Sequence, residues 1–232
     1  MIPLAIRRKR GDGDPYRAYL SLLAPMEGAN NSTAFADYSP ISHSLTAAGD
    51  AKISDAQSKW GNGSGLFDGN GDYVSLPAHA SLNLGTNIFY IGCWVYPLAL
   101  ANAFGSILSS NHATWQSGAA AFNFGQNSKF RLSCFLFSAA IESTVNLDLN
   151  MWQYLVATRV GNQFALYKNG SACGAGTQTA AVNFASNTAV RIGGNSWDGA
   201  NGYANAHLQD LRVYKGFVPD PTAVPTRRAA TN

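Results

Sequence analysis

The stretch NIFYIGCWVYP, residues 87 to 97, is apolar at nearly every position. Alternate side chains of a β-strand point to opposite faces, and here the residues of both faces are apolar. The two sets are Phe89, Ile91, Cys93 and Val95 on one face, and Ile88, Tyr90, Trp94 and Tyr96 on the other. Such a strand needs cover on both sides, so the stretch is predicted to be a central strand of a layered β structure.

Two tight turns follow further along the chain. VGNQ at 160–163 separates YLVATR from FALYK, and KNGS at 168–171 closes the second of these segments. Gly-Asn and Asn-Gly pairs readily adopt the positive φ angles that a two-residue hairpin turn requires. The two turns together predict a three-stranded antiparallel meander.

The remaining sequence consists of short apolar segments closed by Gly, Asn, Asp or Pro, with no helical stripe of ten or more residues. The predicted strands are 19–23, 51–53, 65–68, 73–76, 88–96, 105–109, 119–124, 130–137, 153–159, 163–168, 189–193 and 208–214. Many short strands at regular spacing indicate a β-sandwich or jelly roll. We therefore predict one all-β domain at 18–218, an extended basic N-terminal arm at 1–17 and an extended proline-rich tail at 219–232.

The net charge of +3 is concentrated at the two ends of the chain. Residues 1–17 carry +3 and Arg227 and Arg228 add +2, which leaves −2 for residues 18–226. A body with so little charge lacks the basic field of a nucleic-acid groove. Short terminal charge runs are usually solvated arms, but they also suit docking on an acidic partner, on nucleic acid or on a membrane surface. The candidate attachment residues are Arg7, Arg8, Lys9 and Arg10.

The cysteines and the apolar runs bear on the setting of the protein. Cys93, Cys134 and Cys173 are too widely spaced for a metal knuckle and do not form an even disulfide framework, so we expect reduced thiols. The start lacks the charged-then-apolar order of a signal peptide, and the longest apolar run falls short of the ~18 residues of a membrane span. We expect a chain made in a cytoplasm, without a signal peptide or a membrane segment.

Three segments in order resemble the concanavalin A-like, laminin-G type family. They are GLFDGNGDYVSLPAHASLNLGTNIFYIGCWVYP, LNMWQYLVATRVGNQFALYKNGS and VRIGGNSWDGANGYANAHLQDLRVYKG. The resemblance implies a concanavalin A-like jelly-roll β-sandwich. The opening GDPYRAYLSLLAPMEGANNSTAFADYS is similar to the starts of laminin-G-like proteins of bacteriophage virions. That similarity implies a structural virion protein, a head decoration or a tail appendage, which has other virion proteins as partners and forms a homo-oligomer in the particle.

The stretch GLFDGNGDYVSLP, residues 65 to 77, begins as calcium-binding loops do, with Asp68, Asn70 and Asp72 at alternate positions. An EF-hand loop needs Gly at its sixth position and Glu at its twelfth, and these positions hold Tyr73 and His79. The stretch therefore predicts a turn that leads into a strand. The resembled sandwiches hold calcium in some cases, so we expect no cofactor other than calcium. Its candidate ligands are Asp72, Asp198 and Asp210.

Catalytic patterns are missing from the sequence. Glycoside hydrolysis needs two neighbouring carboxyl groups, whereas residues 18–226 contain only two glutamates, Glu27 and Glu142, and no E-x-D-x-x-E pattern. The four histidines are separated from one another and from the cysteines, which disfavours a zinc site. We expect a protein that is not an enzyme.

Two loops have the composition of a sugar-binding site. SSNHATWQSGA at 109–119 and GGNSWDGANGYANA at 193–206 place aromatic rings beside Asn, Asp and His, which suits stacking and hydrogen bonding with a glycan. An alternative is that the rings pin the loops to the sandwich or contact a neighbouring virion subunit. A glycan-binding host-adhesion module is thus the second functional hypothesis. Its candidate residues are His112, Trp115, Trp197 and Tyr203.

Overall fold

The computed structural model describes residues 16–100, 104–114, 116–185 and 188–226. Over these residues the chain forms seventeen strands in two large antiparallel sheets and one small ribbon. The eight-stranded sheet contains β1 (Leu20–Ala24), β3 (Lys52–Ser54), β4 (Ser64–Asp68), β7 (Phe89–Pro97), β12 (Gln153–Val160), β13 (Gln163–Lys168), β14 (Ser171–Thr177) and β17 (Asn205–Lys215). The seven-stranded sheet contains β2 (Thr46–Ala48), β5 (Tyr73–Leu76), β8 (Phe104–Ser110), β9 (Ala120–Gly125), β10 (Phe130–Cys134), β11 (Ile141–Glu142) and β16 (Val190–Ile192). The ribbon pairs β6 (Asn83–Gly85) with β15 (Val182–Asn183).

Strand β7 is the central strand that its sequence predicts. It lies between β12 and β17 and pairs with both along most of its length. One set of its side chains, which includes Phe89 and Val95, belongs to the main core between the two sheets. From the other set, Tyr90 and Trp94 are buried on the outer face of the eight-stranded sheet, whereas Ile88, which precedes the strand, is exposed. The predicted all-β, concanavalin A-like sandwich is confirmed, and both faces of its central strand are covered.

The turn at residues 69–72 carries the chain from one sheet to the other. Strand β4 belongs to the eight-stranded sheet and β5 to the seven-stranded sheet, so the two do not pair as a hairpin. Gly69 and Gly71 have φ angles of 86° and 85°, a region that favours glycine. Asp68 accepts a hydrogen bond from the backbone N–H of Asn70 at 2.7 Å, as turn-forming aspartates do. The stretch is a turn, as predicted.

The predicted meander of β12, β13 and β14 is confirmed, with Gly161-Asn162 and Asn169-Gly170 as its two turns. The sequence missed β2, β6, β11 and β15, which have only two or three residues each and too few positions for an alternating pattern. Four short 3₁₀ helices complete the described structure: Arg17–Tyr19, Ala80–Leu82, Gln126–Ser128 and Gly199–Gly202. Within the described ranges, no helix has the length and hydrophobicity to cross a bilayer. All three cysteines are buried and unpaired.

The outer face of the eight-stranded sheet carries a second hydrophobic cluster, which we name the outer aromatic cluster. Its buried members are Leu20, Leu23, Tyr90, Trp94, Tyr154, Val156 and Tyr214. The chain after β17 covers part of it through Phe217, Val218 and Val224. Tyr16 stacks on Phe217 with 4.0 Å between the ring centroids. The first and last described segments therefore meet on this face. The predicted attachment residues Arg7, Arg8, Lys9 and Arg10 lie outside the described residues.

Candidate ligand-binding clefts

A cleft of about 410 Å³ opens on the outer face of the seven-stranded sheet, and we name it the Trp197 cleft. Asn123 lies in β9 between Phe122 and Phe124, and both phenylalanines point into the main core. Because strand side chains alternate, Asn123 and its neighbour Arg131 on β10 project from the outer face. The cleft is lined by Phe104, Asn123, Arg131, Ser133, Cys134, Phe135, Phe137, Ala140, Trp197 and Asp198.

Arg131 is held from three sides in this cleft. Its Nε donates a hydrogen bond to Oδ1 of Asn123 at 3.2 Å, and its guanidinium carbon lies 4.5 Å from the ring centroid of Phe104. Its Nη1 lies 3.9 Å from a carboxylate oxygen of Glu142 on β11. Burial lowers the pKa of Arg131, while the carboxylates of Glu142 and Asp198 oppose that change. The guanidinium is thus positioned and largely desolvated, and it has two acidic neighbours.

The loop that carries Trp197 and Asp198 is fixed by Asn195, which is fully buried. The Nδ2 group of Asn195 donates to the carbonyl of Phe104 at 3.2 Å and to Oγ of Ser106 at 3.1 Å. Its Oδ1 accepts from the backbone N–H of Asp198 at 3.2 Å. Burial raises the pKa of Asp198, and a hydrogen bond from the Trp197 side chain is the largest effect that opposes this rise. The indole and the carboxyl group are therefore joined to each other in the lining of the cleft.

A second cleft of about 600 Å³ lies beside the first, and we name it the His112 cleft. Nδ1 of His112 lies 2.9 Å from Nε2 of Gln116, and the hydroxyl of Ser196 donates a hydrogen bond to the carbonyl of His112. Cys134 lines both clefts. The structure thus brings together the two loops that the sequence selected as sugar-binding. The His112 cleft is lined by Asn111, His112, Ala113, Gln116, Ser117, Gly118, Cys134, Leu136, Ala181, Asn183 and Thr188.

The other two predicted glycan-binding residues are Trp115 and Tyr203. Trp115 lies outside the described residues. Tyr203 is half-buried and lines neither cleft. A methyl group built on Gly194 would lie 2.7 Å from the ring of Tyr203, so this ring packs directly over the glycine backbone. The position of Tyr203 matches the alternative interpretation, in which an aromatic ring pins the loop to the sandwich.

The structure does not bring the predicted calcium ligands Asp72, Asp198 and Asp210 together. Asp198 lines the Trp197 cleft, and Asp210 forms a buried ion pair with Arg212. Asp72 is instead grouped with two other carboxylates, those of Asp50 and Asp68, and ligand atoms of all three lie within 4.8 Å of one another. Within the described ranges, this is the group of acidic side chains whose spacing suits a metal ion.

Asp72 has a structural role in that acidic group. Its two carboxylate oxygens accept hydrogen bonds from the backbone N–H of Asp50 at 2.8 Å and of Asp68 at 3.1 Å. The carboxylate therefore ties the β4–β5 turn to the loop before β3. Burial raises the pKa of Asp72 to about 6, because it disfavours the ionised form. Calcium takes six to eight oxygens, so three carboxylates would provide only part of a coordination shell.

Sequence reasoning missed Phe104, Asn123 and Arg131. A signal for two of them was present, because Asn123 and Arg131 are polar residues flanked by apolar ones in FNF and FRL. In a strand this alternation places the polar side chain on the face away from the core. Their direct pairing across the β9–β10 hairpin was not evident, because the intervening GQNSK segment has no two-residue turn signature.

A family model described as Laminin_G_3, of the concanavalin A-like lectin/glucanases superfamily, matches residues 68–220. This range includes β5 to β17 and both clefts. The chain belongs to the Laminin_G_3 family. The resemblance found in the sequence is thereby confirmed at the level of the family. No curated protein sequence matches the chain.

Several solved structures share the fold of this chain at low sequence identity. Domain 4 of AbnA, a GH43 extracellular arabinanase from Geobacillus stearothermophilus solved with arabinotriose, has a TM-score of 0.64 and 16% identity, over 88% of this chain and 96% of that domain. The binding domain of botulinum neurotoxin serotype C1 has a TM-score of 0.63 and 10% identity. The binding domain of botulinum neurotoxin DC, solved with SialylT, has a TM-score of 0.62 and 13% identity. Each toxin alignment covers 89% of this chain and about half of the toxin domain. At these identities the likeness concerns the fold alone.

Proposed function

We propose that this protein is a glycan-binding module and that the Trp197 cleft is its sugar site. The observation that carries the proposal is the lining of the cleft, in which aromatic rings surround a fixed set of polar groups. A pyranose ring has an apolar face of C–H groups that stacks on aromatic rings, and an edge of hydroxyl groups that hydrogen-bond. Trp197 and Phe135 offer the rings, while Asn123, Arg131 and Asp198 offer the polar groups.

The rigidity of the cleft supports the same proposal. Asn123 and Arg131 lie on paired strands of the seven-stranded sheet, and the buried Asn195 fixes the loop that carries Trp197. A pre-formed site loses less conformational entropy on binding than a flexible one. The arabinanase domain solved with arabinotriose and the toxin domain solved with SialylT show that folds of this shape do host sugars in other proteins.

The test of the proposal is a glycan array probed with the full chain and with Trp197→Ala. We expect selective binding that the substitution weakens at least tenfold, because a lost stacking surface costs on the order of 1.4 kcal/mol or more. Tyr38→Ala is the matched control, since Tyr38 is an exposed aromatic residue that lines neither cleft. Absence of binding by the intact chain to any glycan would contradict the proposal.

We propose further that the module is not an enzyme. Within the described residues that line the Trp197 cleft, Asp198 is the single carboxylate. Hydrolysis of a glycosidic bond uses two carboxyl groups on either side of the scissile bond. Incubation of the chain with the glycans it binds should therefore leave them intact, and the release of reducing ends at a rate above that of a Trp197→Ala control would overturn this point.

The bacteriophage setting belongs to the proposal as well. It is supported by the similarity of the opening sequence to those of phage virion proteins, and by the basic run at Arg7, Arg8, Lys9 and Arg10. In this proposal the arm attaches the module to other virion proteins of a head or tail, in symmetric copies, and calcium is not required because the acidic group at Asp72 lines neither cleft. A chain that lacks residues 1–15, and so keeps Tyr16 on Phe217, should fold but fail to bind the particle. Retained particle binding would contradict the role of the arm.

A further inference from the structure

The charges around the Trp197 cleft restrict which sugars it accepts. Among the described residues that line it, Arg131 is the single cation and Asp198 the single anion, so the lining is formally neutral. A carboxylate oxygen of Glu142 lies 3.9 Å from Nη1 of Arg131. The same carboxylate lies 3.7 Å from the ammonium group of Lys129, outside the cleft lining. The guanidinium therefore already has acidic neighbours before any ligand arrives.

An acidic sugar would meet an unfavourable environment in this cleft. A carboxylate of the ligand that approached Arg131 would also approach Asp198, because both line the same 410 Å³ space. Like charges placed together in a binding site are a strong source of discrimination. Arg131 is also engaged by Asn123 and by the ring of Phe104, so it is not poised to rotate toward a new anion.

A neutral sugar meets complementary groups instead. A hydroxyl group donates one hydrogen bond and accepts others, so it can donate to the carboxylate of Asp198 and accept from the guanidinium of Arg131 or the amide of Asn123. Hydrogen bonds to charged groups are stronger than those between neutral groups. The cleft thus supplies both a charged acceptor and a charged donor to uncharged hydroxyl groups.

Building on the proposed function, we propose that the Trp197 cleft selects neutral saccharides and rejects their carboxylated counterparts, with Asp198 as the residue that sets this specificity. The proposed preference for neutral sugars contrasts with the toxin domain solved with SialylT, whose fold the chain shares at 13% identity.

The experiment uses the full chain and pairs of oligosaccharides that differ only in a carboxylate, such as galactose oligomers against galacturonate oligomers and a glycan with and without terminal sialic acid. Affinities are measured by calorimetry at pH 7.5 in moderate salt. We expect the neutral member of at least one pair to bind at least tenfold more tightly than its acidic partner.

The variant Asp198→Asn removes the negative charge and keeps an oxygen that can accept the hydrogen bond from Trp197. We expect it to reduce the difference between neutral and acidic members to less than threefold. Asp55→Asn, at an exposed position that lines neither cleft, is the charge-matched control and should keep the tenfold difference.

The outcomes separate the two proposals. If no member of any pair binds, the proposed function itself fails. If glycans bind but the acidic members bind as tightly as the neutral ones or more tightly, the neutral specificity is wrong while glycan binding stands. If the preference exists but is unchanged in Asp198→Asn, the role of Asp198 is wrong.

Discussion

Arg159 donates a hydrogen bond from Nη1 to the carbonyl of Gly85 at 3.1 Å, across 74 positions of sequence. The Arg159 side chain is fully buried. The same Nη1 also donates to the carbonyl of Ala180 at 2.7 Å, and Nε donates to the carbonyl of Gly161 at 2.7 Å. One guanidinium thus links the ribbon strand β6, the β12–β13 turn and the segment before β15 through their backbone carbonyls.

We expect Arg159→Met to lower the free energy of unfolding by about 3–5 kcal/mol, because it removes a buried charged donor from several partly buried carbonyls. Arg159→Lys should lose less, about 2–3 kcal/mol, since an ammonium keeps the charge but cannot reproduce the planar set of donors. Urea denaturation measures both values. Lys52→Met on strand β3 is the control and should change stability little; equal values for Arg159→Met and this control would contradict the assigned role.

The stability of the fold should depend on His207 at mildly acidic pH. Burial lowers the pKa of His207 to about 4, and Nδ1 of this residue lies 2.9 Å from Oγ of Ser64. An unfolded histidine has a pKa near 6.5, so the contribution of the neutral buried ring is complete above that pH and is lost as the pH falls toward 4. The loss should be on the order of 3 kcal/mol.

His207→Asn isolates this contribution, because the amide keeps a hydrogen-bonding group near Ser64 and does not titrate. Asp72 acts in the opposite sense: its raised pKa, about 6, disfavours the folded state as the pH rises through that value. Stability measured from pH 4 to 7 should therefore fall less steeply toward acid in the variant than in the original chain. Parallel pH profiles for the two proteins would show that His207 is not the titrating group.

Gly92 has no side chain, and two tyrosine side chains of the outer aromatic cluster occupy the space beside its Cα. A methyl group built on Gly92 would overlap the hydroxyl of Tyr154 and lie 2.6 Å from the ring of Tyr90. The two hydroxyl oxygens are hydrogen-bonded at 2.9 Å. Gly92→Ala should therefore destabilise the fold by about 1–3 kcal/mol through overpacking.

In a Tyr154→Phe background, Gly92→Ala should reduce the stability less, because the overlapping hydroxyl oxygen of Tyr154 is absent. A double-mutant cycle by thermal denaturation measures the coupling, which we expect to be on the order of 1 kcal/mol. Strictly additive effects of the two substitutions would contradict the overlap.

Phe217 joins the end of the chain to its beginning. Its ring stacks on Tyr16 and also lies 6.5 Å, edge to face, from the ring of Tyr214. Phe217→Ala should lower stability by about 1–3 kcal/mol and increase the binding of a hydrophobic dye, because part of the outer aromatic cluster becomes accessible. Phe217→Leu should retain more of the stability than Ala. An unchanged melting temperature in Phe217→Ala would show that the tail does not protect this face.

Much of the sandwich could be predicted from local patterns. The two-sided apolar character of β7 and the Gly-Asn and Asn-Gly turns around β13 reflect physical requirements that neighbouring residues satisfy by themselves. The assignment of β4 and β5 to different sheets could not be predicted, because the turn at Gly69 and Gly71 has the same composition whether it joins paired strands or opposite layers.

The candidate site was predictable only in part. The aromatic and polar loops around His112 and Trp197 were evident from composition, and the structure places them side by side. The backbone N–H of Asp50 donates to the carboxylate of Asp72, which is 22 positions away in sequence. The guanidinium of Arg159 likewise donates to carbonyls that are distant in sequence. Such long-range partners depend on how the sheets stack, and no local periodicity encodes that.

The contact between Tyr16 and Phe217 brings the first and last described segments to the same face of the molecule. The described chain enters and leaves on the outer face of the eight-stranded sheet, whereas the Trp197 cleft opens on the outer face of the other sheet. A support that contacts the face around Tyr16 and Phe217 would therefore leave the Trp197 cleft exposed on the opposite side of the molecule. Under the proposed function, several copies held side by side in this way would bind one polysaccharide at many points, so that weak individual contacts add up to strong multivalent binding.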